Sequence, residues 1–195
     1  VGLASLPDYG MIALVKDIYT GFSSMQEIFL LSMIVGGLGA LMNRQKPLRV
    51  WGPSGDTPER GTAYALDHLY KALTWDLDGR KGITDPRGYV PFEVTEFDYK
   101  GVNKIIYQEN GVTIRTIPAI HSLDGPVSFI LEWNGFKFVF SGDTYPNKWF
   151  AEYAKDADLV IHECFITVPA LVEKFKFTPQ GALSVGTQVH TAPEA

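Results

Sequence analysis

Residues 127–143 read Val127-Ser-Phe-Ile-Leu-Glu-Trp133, then Asn134-Gly135, then Phe136-Lys-Phe-Val-Phe140 and Ser141-Gly142-Asp143. Two runs rich in aromatic and β-branched residues flank an Asn-Gly pair. That pair signals a hairpin, because a type I′ turn needs positive φ at both central positions. The spacing predicts strands over Val127–Trp133 and Phe136–Phe140. Just before them, Val112–Ile117 reads as another strand and runs into Pro118-Ala-Ile-His121. From His121 the chain goes out along one arm of the hairpin and returns along an equal length to Asp143. Both residues should therefore emerge at the same edge of one sheet. Phe92–Phe97 and Ile105–Gln108 read as further strands of this β-rich stretch.

Downstream the period changes. Pro146–Ala154 reads as a helix and Asp158–Ile161 as a short apolar strand ending at His162-Glu163. Thr178-Pro179 opens a helix expected to run to about Gln188, with threonine as N-cap and proline at the first helical position. His190 then falls in a junction before Thr191-Ala-Pro-Glu194, which has the spacing of a capping box. Upstream, residues 10–42 read as helical, broken near Thr20-Gly21 and at Gly36, Gly37 and Gly39. Leu48–Trp51 is a short strand stopped by Gly52-Pro-Ser-Gly55. Thr57-Pro58 starts a helix expected to reach Leu73, and residues 76–90, with Gly79, Gly82, Pro86 and Gly88, read as a loop.

The composition bounds the function classes. At 195 residues and 46% hydrophobic, the chain has the size and apolar content of one folded domain. Its 17 basic and 22 acidic residues leave a net charge of −5, which argues against general nucleic-acid binding and for a small-molecule substrate. The lone Cys164 excludes an internal disulfide and a cysteine-rich zinc site; after an apolar strand it reads as a small core residue. The apolar run Ile28–Met42 is shorter than the ~18–20 residues of a spanning helix. No basic leader precedes it, so a cytoplasmic location is expected, as a monomer or a homodimer. Gly36-Gly-Leu-Gly39 follows no strand and is not read as a dinucleotide loop.

Of the four histidines, His68 lies on a helix surface, while His121, His162 and His190 fall at strand ends or junctions, as do Asp143 and Glu163. Side chains at such positions converge on sites rather than fill cores. Imidazole together with carboxylate is the donor set of zinc, manganese or iron. Asp124, in Asp124-Gly-Pro, is a turn residue or a support for His121. Tyr145, Trp149 and Phe150 are packing partners or one wall of an apolar substrate pocket.

Four segments in order carry a resemblance. They are Thr116-Ile-Pro-Ala-Ile-His121, Ser141-Gly-Asp143-Thr, Ala157-Asp-Leu-Val-Ile-His162-Glu163-Cys-Phe and His190-Thr-Ala-Pro-Glu194. Together, from about Leu48 onward, they resemble the metallo-β-lactamase fold, most of all the branch of ribonuclease Z and of related phosphodiesterase-like and arylsulfatase-like hydrolases. The resemblance implies an α+β, αββα fold, of which this chain carries a part: a β-sheet core with flanking helices in a single domain over 1–195, with residues 10–44 as an apolar helical insertion or lid. It implies one or two divalent ions, zinc first and manganese or iron as alternatives, with His121 and Asp143 as ligands.

His162-Glu163 resembles the family's His-Glu-Ala-Thr element, and His190-Thr191 its His-Ser-Thr element. By that likeness His190 meets the scissile group and donates a proton, Glu163 orients it, and His162 supports the pair. The family's first signature, His-x-His-x-Asp-His, is absent, and Val1-Gly-Leu-Ala-Ser-Leu resembles the glycine and leucine-rich stretch that comes directly after that signature in the family. The last metal histidine is also absent. The chain is therefore expected to be the middle of a longer protein and to bind metal weakly alone. The function implied is metal-dependent hydrolysis of an ester, phosphoester or related small-molecule bond. The alternatives are a ribonuclease Z-like tRNA 3′-processing endonuclease and a non-catalytic binding protein that has lost its metal motifs.

Overall fold

The computed structural model describes residues 47–72, 74–80 and 92–193. The expected helices and lid over 10–44, the stretch 81–90 and the capping glutamate Glu194 lie outside these residues. The described residues divide into two compact units, one of those before Pro53 and between Gly61 and Glu96, the other of Pro53–Arg60 and those from Phe97 on.

In the first unit, β1 (Leu48–Pro53) and β2 (Phe92–Phe97) form a two-stranded sheet. Helix α1 (Thr62–Ala72) and the short α2 (Thr74–Arg80) lie between them in sequence. Val50 and Leu66 are almost fully buried, and Leu69, Phe92 and Val94 pack on them. The helix expected from Thr57 begins later. Pro58–Arg60 forms a 3₁₀ turn, and α1 starts only after Gly61. The reason lies across the unit. Glu96 Oε1 accepts the backbone N–H of Ala63 at 2.8 Å, so β2 caps the helix. A Cβ at Gly61 would come within 2.2 Å of that oxygen. Residues 76–80, the start of the loop expected over 76–90, lie in the helix Thr74–Arg80 despite Gly79. His68 lies exposed on α1, stacked on Tyr64.

The second unit is built on a five-stranded sheet in the order β3 (Lys104–Glu109), β4 (Val112–Pro118), β5 (Val127–Trp133), β6 (Phe136–Phe140), β7 (Leu159–Ile161). The first three pairings are antiparallel and β6–β7 is parallel. The hairpin turn is as the sequence reads, with Asn134 at φ 49° and Gly135 at φ 81°. A second Asn-Gly turn, Asn110 at φ 52° and Gly111 at φ 79°, joins β3 to β4 at the same end of the sheet. The C-terminal ends of β4, β6 and β7 therefore all open at the opposite end.

Register sorts the sheet into two faces. Arg115, Ile130, Val139 and Val160 are successive cross-strand partners on one face. Here Ile117, Ile130, Val139 and Phe150 form a buried core with Trp149, Tyr153, Ala154 and Ala157 against it. The covering helix α3 (Lys148–Tyr153) is capped by Asn147, whose Oδ1 accepts the Phe150 N–H at 2.9 Å. Each of these apolar side chains contributes roughly 1.5–3 kcal/mol on burial. The other face carries the rows Ile114–Leu131–Phe138–Leu159 and Thr116–Phe129–Phe140–Ile161. Exposure rises along them toward β7, from 2% at Ile114 to 48% at Leu159. The expectation of a buried strand at 158–161 is thus corrected. Among the described residues β7 is an edge strand, all three of its residues are exposed, and Cys164 beyond it is exposed too. The unit closes with α4 (Val168–Glu173), α5 (Pro179–Ser184) and a π-helical turn, Val185–Val189, that delivers His190.

Candidate metal centre

Three strand ends and one helix end supply the site. His121 sits in the loop after β4, which is closed by the Ala119 N–H to Pro126 C=O bond at 3.1 Å. Asp143 follows β6 through Gly142, whose φ of 59° turns the chain where a side chain would be strained. Glu163 follows β7, and His190 follows the π-helical turn. His121, Asp143 and His190 each present a donor atom, and these atoms lie within 4.8 Å of one another.

His121 Nε2 is buried, has no hydrogen-bond partner among the described residues and stands 3.7 Å from Asp143 Oδ2. Its other nitrogen, Nδ1, is 2.9 Å from Ser122 Oγ. Nδ1 also accepts the Ser122 backbone N–H at 2.7 Å, which holds the ring against its own loop. His190 Nδ1 donates to Glu163 Oε2 at 2.9 Å, and both side chains are largely buried. That hydrogen bond raises the His190 pKa above the usual imidazole value; burial works against it, and the charges of Glu163 and Asp143 add to it. The His190 ring stacks on Phe165 with centroids 4.6 Å apart and meets the His121 ring edge-on at 4.9 Å. A buried nitrogen with no partner, beside a carboxylate and a second imidazole, is the donor chemistry of a divalent transition metal, and zinc commonly takes three such protein ligands.

The remaining sequence candidates fall elsewhere. His162 lies outside the donor group: its Nδ1 is 2.7 Å from the Glu163 carbonyl and its ring meets Phe150 edge-on. Phe150 is a core residue at 8% exposure and Trp149 packs on the same core, the packing role that the sequence offers for them beside a pocket wall. Tyr145 enters through its backbone, donating its N–H to the Ile120 carbonyl at 2.7 Å. Asp124 directs its carboxylate away from His121. It accepts the Asp56 N–H at 2.7 Å and Arg60 Nη1 at 3.0 Å, and the first of these bonds lowers its pKa most. Its support of His121 runs only through the loop they share.

Sequence reasoning missed the polar residues between the strand ends. Ser141 Oγ accepts the Glu163 N–H at 2.8 Å and donates to the Gly142 carbonyl at 2.8 Å. Ser128 Oγ donates to the Ser141 carbonyl at 2.6 Å. Thr144, fully buried, bonds in several directions at once. Phe165, the lid on His190, was also missed. A run of small hydroxyl residues at a strand end, as in Ser141-Gly-Asp-Thr144, was the one available signal.

No family model matches the chain. It is 31% identical to ribonuclease Z of Mycobacterium marinum over 118 residues, which is 60% of this chain and 39% of that protein. Over 55 residues it is 47% identical to ribonuclease Z 1 of Schizosaccharomyces pombe, 27% of this chain and 6% of that protein. The chain thus spans well under half the length of the curated relatives it matches. Among solved structures it is similar to the metallo-β-lactamase-fold protein YhfI of Bacillus subtilis, with a TM-score of 0.46 and 16% identity over 72% of this chain and 46% of that one.

Proposed function

We propose that this chain carries part of the active centre of a metal-dependent hydrolase of the metallo-β-lactamase fold, with His121, Asp143 and His190 holding a divalent ion, zinc first. The observation that carries the reading is the convergence of three donor atoms within 4.8 Å around a buried, unpartnered His121 Nε2. Sequence similarity to two ribonucleases Z supports it. An ion held there would lower the pKa of a water molecule and polarise the bond to be cleaved.

The chain's own residues do the rest. Glu163 accepts the Nδ1 proton of His190, which fixes its tautomer and leaves Nε2 as the donor, the usual way a carboxylate prepares a metal-binding imidazole. The Thr144 N–H donates to the other oxygen of Glu163 and stops the carboxylate from rotating. Phe165 covers one face of the His190 ring and keeps water from that side. Because His121 and Asp143 alone are two ligands, we read His190 as a third ligand in place of the proton donor expected from its motif; the three donor atoms within 4.8 Å support this.

Metal analysis of the purified protein tests the reading. Asp143→Ala and His121→Ala are each expected to lose metal and hydrolysis together; retention of both refutes the site. His190→Ala is expected to weaken metal binding roughly 10–100-fold. Full metal retention with lost hydrolysis would return His190 to the proton-donor role.

The substrate proposed is an ester, phosphoester or related small molecule, in keeping with the net charge of −5. The similarity to ribonuclease Z favours a second reading, RNA 3′-end processing. Assaying a pre-tRNA beside a panel of small phosphodiesters, sulfates and lactones separates the two. Among the described residues no helix is long and apolar enough to cross a membrane, and we place the enzyme in the cytoplasm.

A further inference from the structure

We propose that Thr144 is the positioning residue of this centre, the residue whose hydroxyl, N–H and carbonyl together hold the three donor-bearing segments in register. The inference rests on the metal-site reading above. Thr144 is fully buried. Its Oγ1 accepts the Ile120 N–H at 3.0 Å and Asn147 Nδ2 at 3.2 Å, and donates to the Tyr145 carbonyl at 2.8 Å. Its N–H donates to Glu163 Oε1, and its carbonyl accepts the Thr191 hydroxyl at 2.8 Å.

Three of these bonds, those to Ile120, Glu163 and Thr191, reach the other donor-bearing segments. Ile120 precedes His121, Thr144 itself follows Asp143, Thr191 follows His190, and Glu163 holds the His190 ring. The segments joined are 24, 19 and 47 residues apart in sequence, so no local structure relates them. Removing the hydroxyl leaves the Ile120 N–H in a partly buried position without its acceptor, and a buried donor left so must find water or move. Either outcome carries His121 away from Asp143 and His190. Thr144 touches no reacting atom in this scheme; it acts through its neighbours.

The test uses Co2+ as a spectroscopic probe of the intact chain, read by its d–d absorption in titrations. His121→Ala is the control for the site itself: if it binds Co2+ as the wild type does, the metal-site reading fails and Thr144 with it. With that control lost as expected, Thr144→Val, which keeps the side-chain shape, is expected to weaken Co2+ binding roughly 10-fold or more and to change the d–d band. Thr144→Ser, which keeps the hydroxyl, restores both. Ile130→Val, a core change outside the network, lowers Tm and leaves Co2+ affinity at the wild-type value. Wild-type affinity and band in Thr144→Val overturn the proposal, as does a Thr144→Ser variant no better than valine. Should Thr144→Val fail to fold, Thr191→Val decides: it removes only the bond to the Thr144 carbonyl, weakened Co2+ binding supports the network, and unchanged binding overturns it.

Discussion

The two ends of the five-stranded sheet are built by opposite means. At one end the turns Asn110-Gly111 and Asn134-Gly135 close each hairpin with two residues of positive φ. A Cβ added at either glycine would meet nothing within 4 Å, so those turns depend on backbone conformation alone. At the other end the loops after β4, β6 and β7 have no such local rule. They are held by side-chain hydroxyls and one carboxylate, through bonds that join residues 13 to 47 positions apart. Self-sufficient turns leave nothing for a ligand to use. Loops that must be tied to one another bring distant residues together, and those residues include His121, Asp143, Glu163 and His190.

The contrast can be broken at three points. Ser141→Ala should have the largest effect, about 1–3 kcal/mol by urea denaturation, because it leaves the Glu163 N–H unpaired in a partly buried loop. It should also weaken zinc binding measured by calorimetry; a variant unchanged in both would show that the site end does not depend on its ties. Gly135→Ala comes next, at about 1 kcal/mol, since it forces a side chain into positive φ. Its zinc affinity should match the wild type, and a loss would mean that the turn end also shapes the site.

The smallest effect is a pH dependence of the metal-free chain. Because the folded His190 pKa is raised by Glu163, the protonated form is the one folding favours. That stabilisation is fully present below the ordinary imidazole pKa of about 6.5 and is lost as pH rises through the folded value. Tm should therefore fall as pH rises above about 6.5, and His190→Gln should abolish that part of the fall; an equal fall in the variant would assign it to other groups.

Legibility in the sequence divides along the same line. The hairpin of β5 and β6 and the placement of His121 and Asp143 at one sheet edge come from period-two patterning and a turn signal, both of which act over a few residues. Asn110-Gly111 carried the same signal as its partner turn. The start of α1 was misplaced because Glu96, 33 residues away, supplies the cap. Strand β7 reads as buried because its residues are apolar, yet burial depends on what covers the two faces of the sheet, which the strand's own residues do not specify. Ser128, Ser141 and Thr144 escaped notice because a hydroxyl's partners are set by packing rather than by spacing. Phe150 and Trp149 read as packing partners in the sequence, and they pack in the cluster of Ile117, Ile130 and Val139, a surface that their own spacing does not name.

The long reach of the ties at the site end also orders events in time. Closing a two-residue turn costs little chain entropy, whereas bringing Thr144 to Thr191 closes a loop of 47 residues. The hairpins can therefore form while the rest of the chain is still searching, and the donor cluster can assemble only after β7 has docked and the helices beyond it have returned. On the metal-site reading proposed above, capture of an ion by His121, Asp143 and His190 together would then come last in folding.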